Sequence, residues 1–218
     1  MSVRGAIFDL DGTLLDSMPV WDTLGERYLR SIGMAPEQDL GGRLRTMSMP
    51  QAAEYLKEQY GLVQDEKKII EDINRLIRSF YEREAEVKPG VREALAAFEM
   101  HGVRMCVATA NDRELAEKAL SRNGVSRYFA EIVSCTEVGI GKDDPAFFEE
   151  TLRRLRAKKE ETIVFEDAPH AAHTAKRAGF RVAGVYDAAA ETERETMKRI
   201  CDWYMLRMDD ENFMNRLF

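Results

Sequence analysis

The chain has 218 residues, of which 44% are hydrophobic and 33% charged, and a formal net charge of −7. That balance suits a globular protein large enough for a sizeable core, as one domain with an insertion or two small domains. An acidic total with no long basic run argues against a nucleic-acid or membrane-surface binder, and no stretch approaches the apolar length of a membrane span.

The chain opens with Val3-Arg4-Gly5-Ala6-Ile7-Phe8-Asp9-Leu10-Asp11-Gly12-Thr13. A near-continuous apolar run of this kind reads as a buried parallel strand. It ends in two acids and a glycine, and in open α/β sheets chemistry gathers beyond the carboxyl ends of the strands. Gly12 allows a sharp turn, so that Asp9 and Asp11 can converge on one point. The strand begins almost at once after Met1, which leaves no signal-peptide architecture. Cys106, Cys135 and Cys201 are few and scattered, suggesting neither a disulfide framework nor a zinc site. Cys106 reads as a small core residue. These features point to the cytoplasm.

After the first strand the period becomes helical. Trp21, Leu24, Tyr28, Leu29 and Ile32 share helical spacing, with Pro19 near the start and Gly33 at the stop. Ala52, Ala53, Leu56 and Tyr60 mark a second helix closed by Gly61. Ile69, Ile70, Ile73, Leu76, Ile77, Phe80 and Tyr81 mark a third. Three amphipathic helices without an intervening strand predict a small bundle over residues 16–86, its apolar stripes serving as packing faces.

From Lys88 helices alternate with short apolar strands: a helix over 89–101, strand 103–108, helix 113–123, strand 131–134, helix 145–157, strand 162–165, a helix through Ala178, and strand 181–185. Such alternation specifies a parallel sheet with helices on both faces. The expected fold is therefore α/β, a Rossmann-like core of residues 1–15 and 87–218 interrupted by a helical cap of residues 16–86.

Three later strand ends are polar. Val107-Ala108-Thr109-Ala110-Asn111 precedes a helix, where a hydroxyl and free backbone N–H groups form a natural phosphate cradle. Gly139-Ile140-Gly141-Lys142-Asp143-Asp144-Pro145 places a lysine in a turn between a strand and a helix. Thr162 to Phe165 runs into the acidic pair Glu166-Asp167. His170 and His173 follow at i, i+3 and read as helix-surface residues, since a metal site needs more ligands.

Asp-Leu-Asp-Gly-Thr at 9–13, Thr109, Lys142 and the Glu166-Asp167 pair stand in the order of the four motifs of the haloacid dehalogenase superfamily, which the chain resembles along its whole length. With a helical insertion after the first motif, it is most similar to the branch of phosphoglycolate phosphatase-like enzymes and beta-phosphoglucomutases. Asp143 stands where relatives usually have proline, Ala171 replaces a common glycine, and Ala110 a frequent small polar residue. The resemblance implies a Mg²⁺-dependent phosphatase for a small phosphorylated metabolite. It implies Asp9 as the nucleophile that forms an aspartyl-phosphate, and Asp11 as the general acid and base. Thr109, Lys142 and backbone amides around Ala110 would hold the phosphoryl oxygens. Mg²⁺ would be held by Asp9, Asp167, the Asp11 backbone carbonyl and Glu166, the last directly or through water.

Relatives use a cap loop to contact the leaving group. Here that segment is Leu40-Gly41-Gly42-Arg43-Leu44-Arg45-Thr46-Met47-Ser48, in which Arg45 best matches the arginine of mutase-like members and would favour a second anionic group. Two alternatives accompany the phosphatase: a sugar-phosphate mutase and a non-catalytic phospho-ligand-binding protein. Mutase-like relatives carry a cap-entry histidine that is Trp21 here and often lack the threonine present as Thr13, so hydrolysis is favoured. Binding proteins on this scaffold commonly lose a carboxylate, whereas Asp9, Asp11 and Asp167 are all present. Asp11 also separates phosphoryl transfer from dehalogenation, whose halide leaves without a proton. A monomer or small homo-oligomer is expected.

Overall fold

In the computed structural model, residues 3–44, 47 and 49–218 are described. The chain forms two compact units, Met1–Ser17 with Ala85–Phe218, and Met18–Glu84.

The first unit is built on β1 (Gly5–Phe8), β2 (Arg104–Thr109), β3 (Phe129–Ser134), β4 (Thr162–Glu166), β5 (Arg181–Val185) and β6 (Trp203–Met205), in the order β3-β2-β1-β4-β5-β6. Every pairing is parallel. In β1 all four residues are buried, which suits a strand at the centre of a sheet covered on both faces. Ile7 lies in register with Cys106 on one side and Val164 on the other.

Alternation along β1 splits the core in two. Ile7, Cys106 and Val164 pack with Phe147 and Phe148 of α8 (Pro145–Leu155) and with the alanines of α9 (Pro169–Arg177). Phe8 stacks on Phe165 at 4.5 Å between ring centroids and meets Phe98 of α5 (Val91–Met100) edge-on at 5.7 Å. The remaining helices of this unit are α6 (Arg113–Arg122), α7 (Cys135–Val138), α10 (Arg194–Ile200) and α11 (Glu211–Leu217). The chain past Val185 thus adds a sixth strand and two helices to the expected elements. Trp203 and Tyr204 are half-buried and the strand is three residues long, too short for a period to show.

The second unit holds α1 (Met18–Ser31), α2 (Leu40–Leu44), α3 (Met49–Tyr60) and α4 (Glu66–Arg83). In α4, Ile69, Ile73, Ile77 and Tyr81 recur every fourth residue and are buried, and Asp65 caps the first turn by accepting from the Lys68 amide at 2.8 Å. Four helices stand where three were expected, and residues 40–44, expected as a loop, are helical. The reason is packing. A Cβ on Gly41 would strike the Asp22 carbonyl of α1, so this glycine permits a close crossing of helices rather than a turn. Within this unit a cavity of about 300 Å³ is lined by Met18, Trp21, Leu24, Leu44, Met49 and Leu56. Arg45, the expected leaving-group contact, and its neighbours Thr46 and Ser48 lie outside the described residues. No described helix is long and apolar enough to cross a membrane.

Candidate active site

The strand order reverses direction at β1 and β4: the chain proceeds outward from β1 through β2 to β3, then returns to the far side of β1 as β4. A crevice at such a switch point, outside the carboxyl ends of the strands, is the natural ligand site of an open α/β sheet. Asp9 is the first residue past β1, and Glu166 and Asp167 end and follow β4. The Asp9 amide donates to the Phe165 carbonyl at 2.9 Å, so the ladder carries the nucleophile candidate to the lip of the crevice beside the acidic pair.

Asp9, Glu166 and Asp167 are all buried, with one carboxylate oxygen from each lying within 4.8 Å of the others. Lys142, which leaves the turn before α8, places its ammonium between two of them. Its Nζ pairs with Asp9 Oδ1 and donates to Glu166 Oε1 at 2.6 Å. Burial opposes the charge on Lys142, but Asp9 and Glu166 outweigh it and hold the ammonium above the ordinary lysine range. The carboxylates are pushed the other way. Burial raises Glu166 to about 7, against the pull of Lys142 and with help from Asp9. Burial and the charges of Asp9 and Glu166 raise Asp167 well above the usual aspartate range. Three acids against one ammonium leave an uncompensated negative charge that a divalent cation would neutralise. Buried oxygen-only donors are the set that Mg²⁺ prefers.

The turn after β1 is tightly specified. Gly12 has a φ of +84°, which L residues with side chains rarely adopt, and a Cβ there would collide with the Asp167 carboxylate. Thr13 is fully buried and its hydroxyl donates to Asp167 Oδ1 at 2.8 Å, orienting that carboxylate. Asp11 is half-buried. Its carboxylate accepts from the Ser17 hydroxyl at 2.6 Å and from Asn111 Nδ2 at 3.3 Å. The Asp11 side chain therefore stands apart from the three-carboxylate cluster, on the side of the β2 loop.

Thr109 is the last residue of β2 and is fully buried. Its Oγ1 accepts from the Asn111 amide at 2.9 Å, which leaves the hydroxyl hydrogen to donate. Ala110, next in the chain, is exposed. Ser134, at the end of β3, donates to the Asn111 carbonyl at 2.8 Å and braces the same loop. Sequence reasoning passed over Ser17, Asn111 and Ser134. Asn111 lies two residues past the end of β2 and Ser134 ends β3, and that position was the available signal. Ser17 carries none, because its role depends on how the chain turns back on Asp11. His170 and His173 are exposed on α9 and belong to no cluster of three potential ligands among the described residues.

Comparison with known proteins shows the family and the fold. The sequence model of the haloacid dehalogenase-like hydrolase family matches residues 6–185. A phosphorylated carbohydrates phosphatase from Thermotoga maritima is 30% identical over 84% of this chain and 85% of its own length. Hexitol phosphatase B from Escherichia coli is 25% identical over 82% of each chain. Among solved structures, a Thermotoga maritima protein provisionally named beta-phosphoglucomutase superposes with a TM-score of 0.88 at 23% identity, covering 99% of this chain and 100% of that one. That likeness shows the fold.

Proposed function

As the chain belongs to the haloacid dehalogenase-like hydrolases, a family whose phosphatases it resembles over most of its length, we propose that it hydrolyses the phosphate monoester of a small cytoplasmic metabolite, through an aspartyl-phosphate on Asp9. The observation that carries this reading is the cluster of Asp9, Glu166 and Asp167 at the sheet's switch point, with Lys142 inserted among them.

In this reading each group has one place in the chemistry. An oxygen of Asp9 attacks phosphorus in line, and the bond from phosphorus to the leaving oxygen breaks. Asp11, protonated at that moment, gives its proton to the leaving oxygen. In the second half Asp11, now a carboxylate, takes a proton from water, whose oxygen attacks phosphorus. The phosphorus–Asp9 bond breaks, and inorganic phosphate and the free carboxylate are regenerated. The Thr109 hydroxyl, the amide of Ala110 and the Lys142 ammonium hold the phosphoryl oxygens and balance their charge. Ser17 and Asn111 orient the Asp11 carboxylate between its two tasks.

Asp9, Asp167 and the Asp11 backbone carbonyl would hold Mg²⁺, with Glu166 ligating directly or through water. When bound, the cation supplies positive charge between the carboxylates and the incoming phosphoryl oxygens. Trp21 supports hydrolysis over sugar-phosphate mutation. Its indole donates to the Tyr81 hydroxyl at 3.3 Å and cannot move protons as an imidazole would.

The test is an assay with p-nitrophenyl phosphate, followed by phosphosugars, phosphoglycolate and nucleotides, with and without Mg²⁺. We expect metal-dependent phosphate release, lost in chelator and restored by Mg²⁺. Activity undiminished in chelator would overturn the metal assignment, and binding of phosphate esters without turnover would make the protein a binder. Interconversion of phosphosugar isomers in place of phosphate release would make it a mutase.

A pH experiment reads the cluster without turnover. A carboxyl whose folded pKa is raised stabilises the fold while protonated, and that stability is lost as pH rises through the folded value. For Glu166 the window runs from its ordinary 4.5 to about 7, and Asp167 acts in the same direction. The metal-free protein should therefore melt at a lower temperature at pH 8 than at pH 5.5. Mg²⁺ should raise Tm at pH 8 and have little effect at pH 5.5, where protons compete for the same oxygens. An equal gain at both pH values, followed by thermal unfolding, would place the cation elsewhere.

A further inference from the structure

Lys88 lies where the chain re-enters the first unit, just after Val87 pairs with Leu15. Its backbone amide donates to the Leu14 carbonyl at 2.9 Å. Its side chain is 12% exposed and reaches back to the same turn, where Nζ donates to the Gly12 carbonyl at 2.5 Å. The other two donors of the ammonium go to the Tyr186 carbonyl at 2.6 Å and Asp187 Oδ2 at 2.7 Å. Three N–H bonds thus meet three oxygens, a complete match for a lysine and one that the planar fork of arginine cannot reproduce. Asp187 is itself fixed: it is 5% exposed, and its second oxygen accepts from the Ala189 amide at 2.9 Å.

The acceptors come from two places far apart in the chain, the turn after β1 and the loop after β5. Gly12 directly follows Asp11, and its Cα already faces the Asp167 carboxylate. One side of the turn therefore abuts the acidic cluster, and its carbonyl is held by Lys88. We infer that Lys88 is a positioning residue: with Asp187 as its anchor, it clamps the Gly12 carbonyl and so fixes the turn that sets Asp11 relative to Asp9. This rests on the phosphatase reading for its effect on rate, but the clamp itself is a matter of local structure. A misplacement of about 1 Å in a reacting group can cost roughly a hundredfold in rate, so a loosened turn should reduce turnover while the phosphate cradle on β2 and at Lys142 stays intact.

The variants are Lys88→Met, Asp187→Asn and the two combined. The single methionine change strands a buried carboxylate and can unfold the chain, so the double variant, which removes both charges, is the main comparison. Asp187→Asn, which keeps an acceptor, is the milder one. Deuterium exchange of a peptide spanning residues 10–17 reports the clamp directly, since the amides of Gly12, Leu14 and Leu15 are all hydrogen-bonded within the turn. In the double variant we expect exchange there to quicken at least tenfold, with β2 and β3 unchanged. We expect kcat on p-nitrophenyl phosphate to fall roughly ten- to a hundredfold, with KM and inhibition by inorganic phosphate within about twofold of wild type. Asp187→Asn should shift both readouts less, in the same direction. Wild-type exchange and kcat in a folded double variant, or in Asp187→Asn should the double variant not fold, would overturn the inference. So would faster exchange across the whole sheet with KM and phosphate inhibition weakening in step. A wild-type protein that releases no phosphate would sink the phosphatase reading alone, because the exchange measurement still decides the clamp.

Discussion

Asp9→Asn should abolish turnover, with a loss of about 10³-fold or more, while leaving the protein folded. The amide cannot attack phosphorus, and no neighbouring group can take its place. Glu166 and Asp167 lie close by, but Glu166 is tied to Lys142 and the Ala168 amide, and Asp167 to Thr13. The expected effect on stability has the opposite sign. Asp9 adds to the repulsion that raises both Glu166 and Asp167, so removing its charge relieves the cluster. Lys142 keeps Glu166 as its partner. The metal-free variant should therefore melt no lower than wild type at pH 8, and Mg²⁺ should stabilise it less. Steady-state assay beside thermal unfolding checks both halves. Retention of more than a few per cent of activity would move the nucleophile elsewhere. A collapse in Tm would mean that the carboxylate serves the fold.

Asp11→Asn should slow steady-state turnover by about 10²–10⁴, the usual range for a lost general acid or base. The two half-reactions should suffer unequally. p-Nitrophenolate leaves readily without a proton, so the first step on that substrate should survive, while activation of water on the aspartyl-phosphate should not. The expected signature is a burst of close to one p-nitrophenolate per active site followed by a slow phase, the mark of an accumulating covalent intermediate. An alkyl phosphate, whose leaving group needs the proton, should give no burst. The asparagine can still accept from Ser17, so the local geometry should persist. Wild-type rates in this variant would reassign the proton donor, and a slow rate without a burst would place the loss in the first step.

The sheet was legible because its strands are buried on both faces. Gly5–Phe8 and Thr162–Glu166 are apolar runs that end abruptly in acids, and a run that stops at charge marks both the strand and the position of its end. The same property exposed Asp9, Lys142, Glu166 and Asp167 as residues at strand or turn ends, although which oxygen each of them meets was not readable. Trp203–Met205 escaped because an edge strand of three residues, two of them half-exposed, has no period. Leu40–Leu44 was misread because glycine serves two purposes, a sharp turn and a close helix crossing, and only the Asp22 carbonyl opposite Gly41 tells them apart. Ser17, Lys88 and Asp187 were invisible for a different reason: each works through a partner brought near by the fold, and no local pattern marks it.

The central place of β1 in the sheet has a consequence for biogenesis. Its first partner begins at Arg104 and its second at Thr162, so a strand made well before either waits for both. At about 5–20 residues per second, the interval before β4 emerges is roughly ten to thirty seconds. Until Arg104–Thr109 is made, Ala6, Ile7 and Phe8 have no sheet to enter, and until Thr162 they keep one open edge, whereas the helices of residues 18–84 make mainly local contacts and can form early. Asp9 then meets Glu166 and Asp167 only when β4 docks beside β1, so the repulsive cluster is assembled after β1, β2 and β3 have all been made. A chain stalled before Thr162 would present β1 with one apolar edge open to the cell, a natural target for chaperone capture or aggregation.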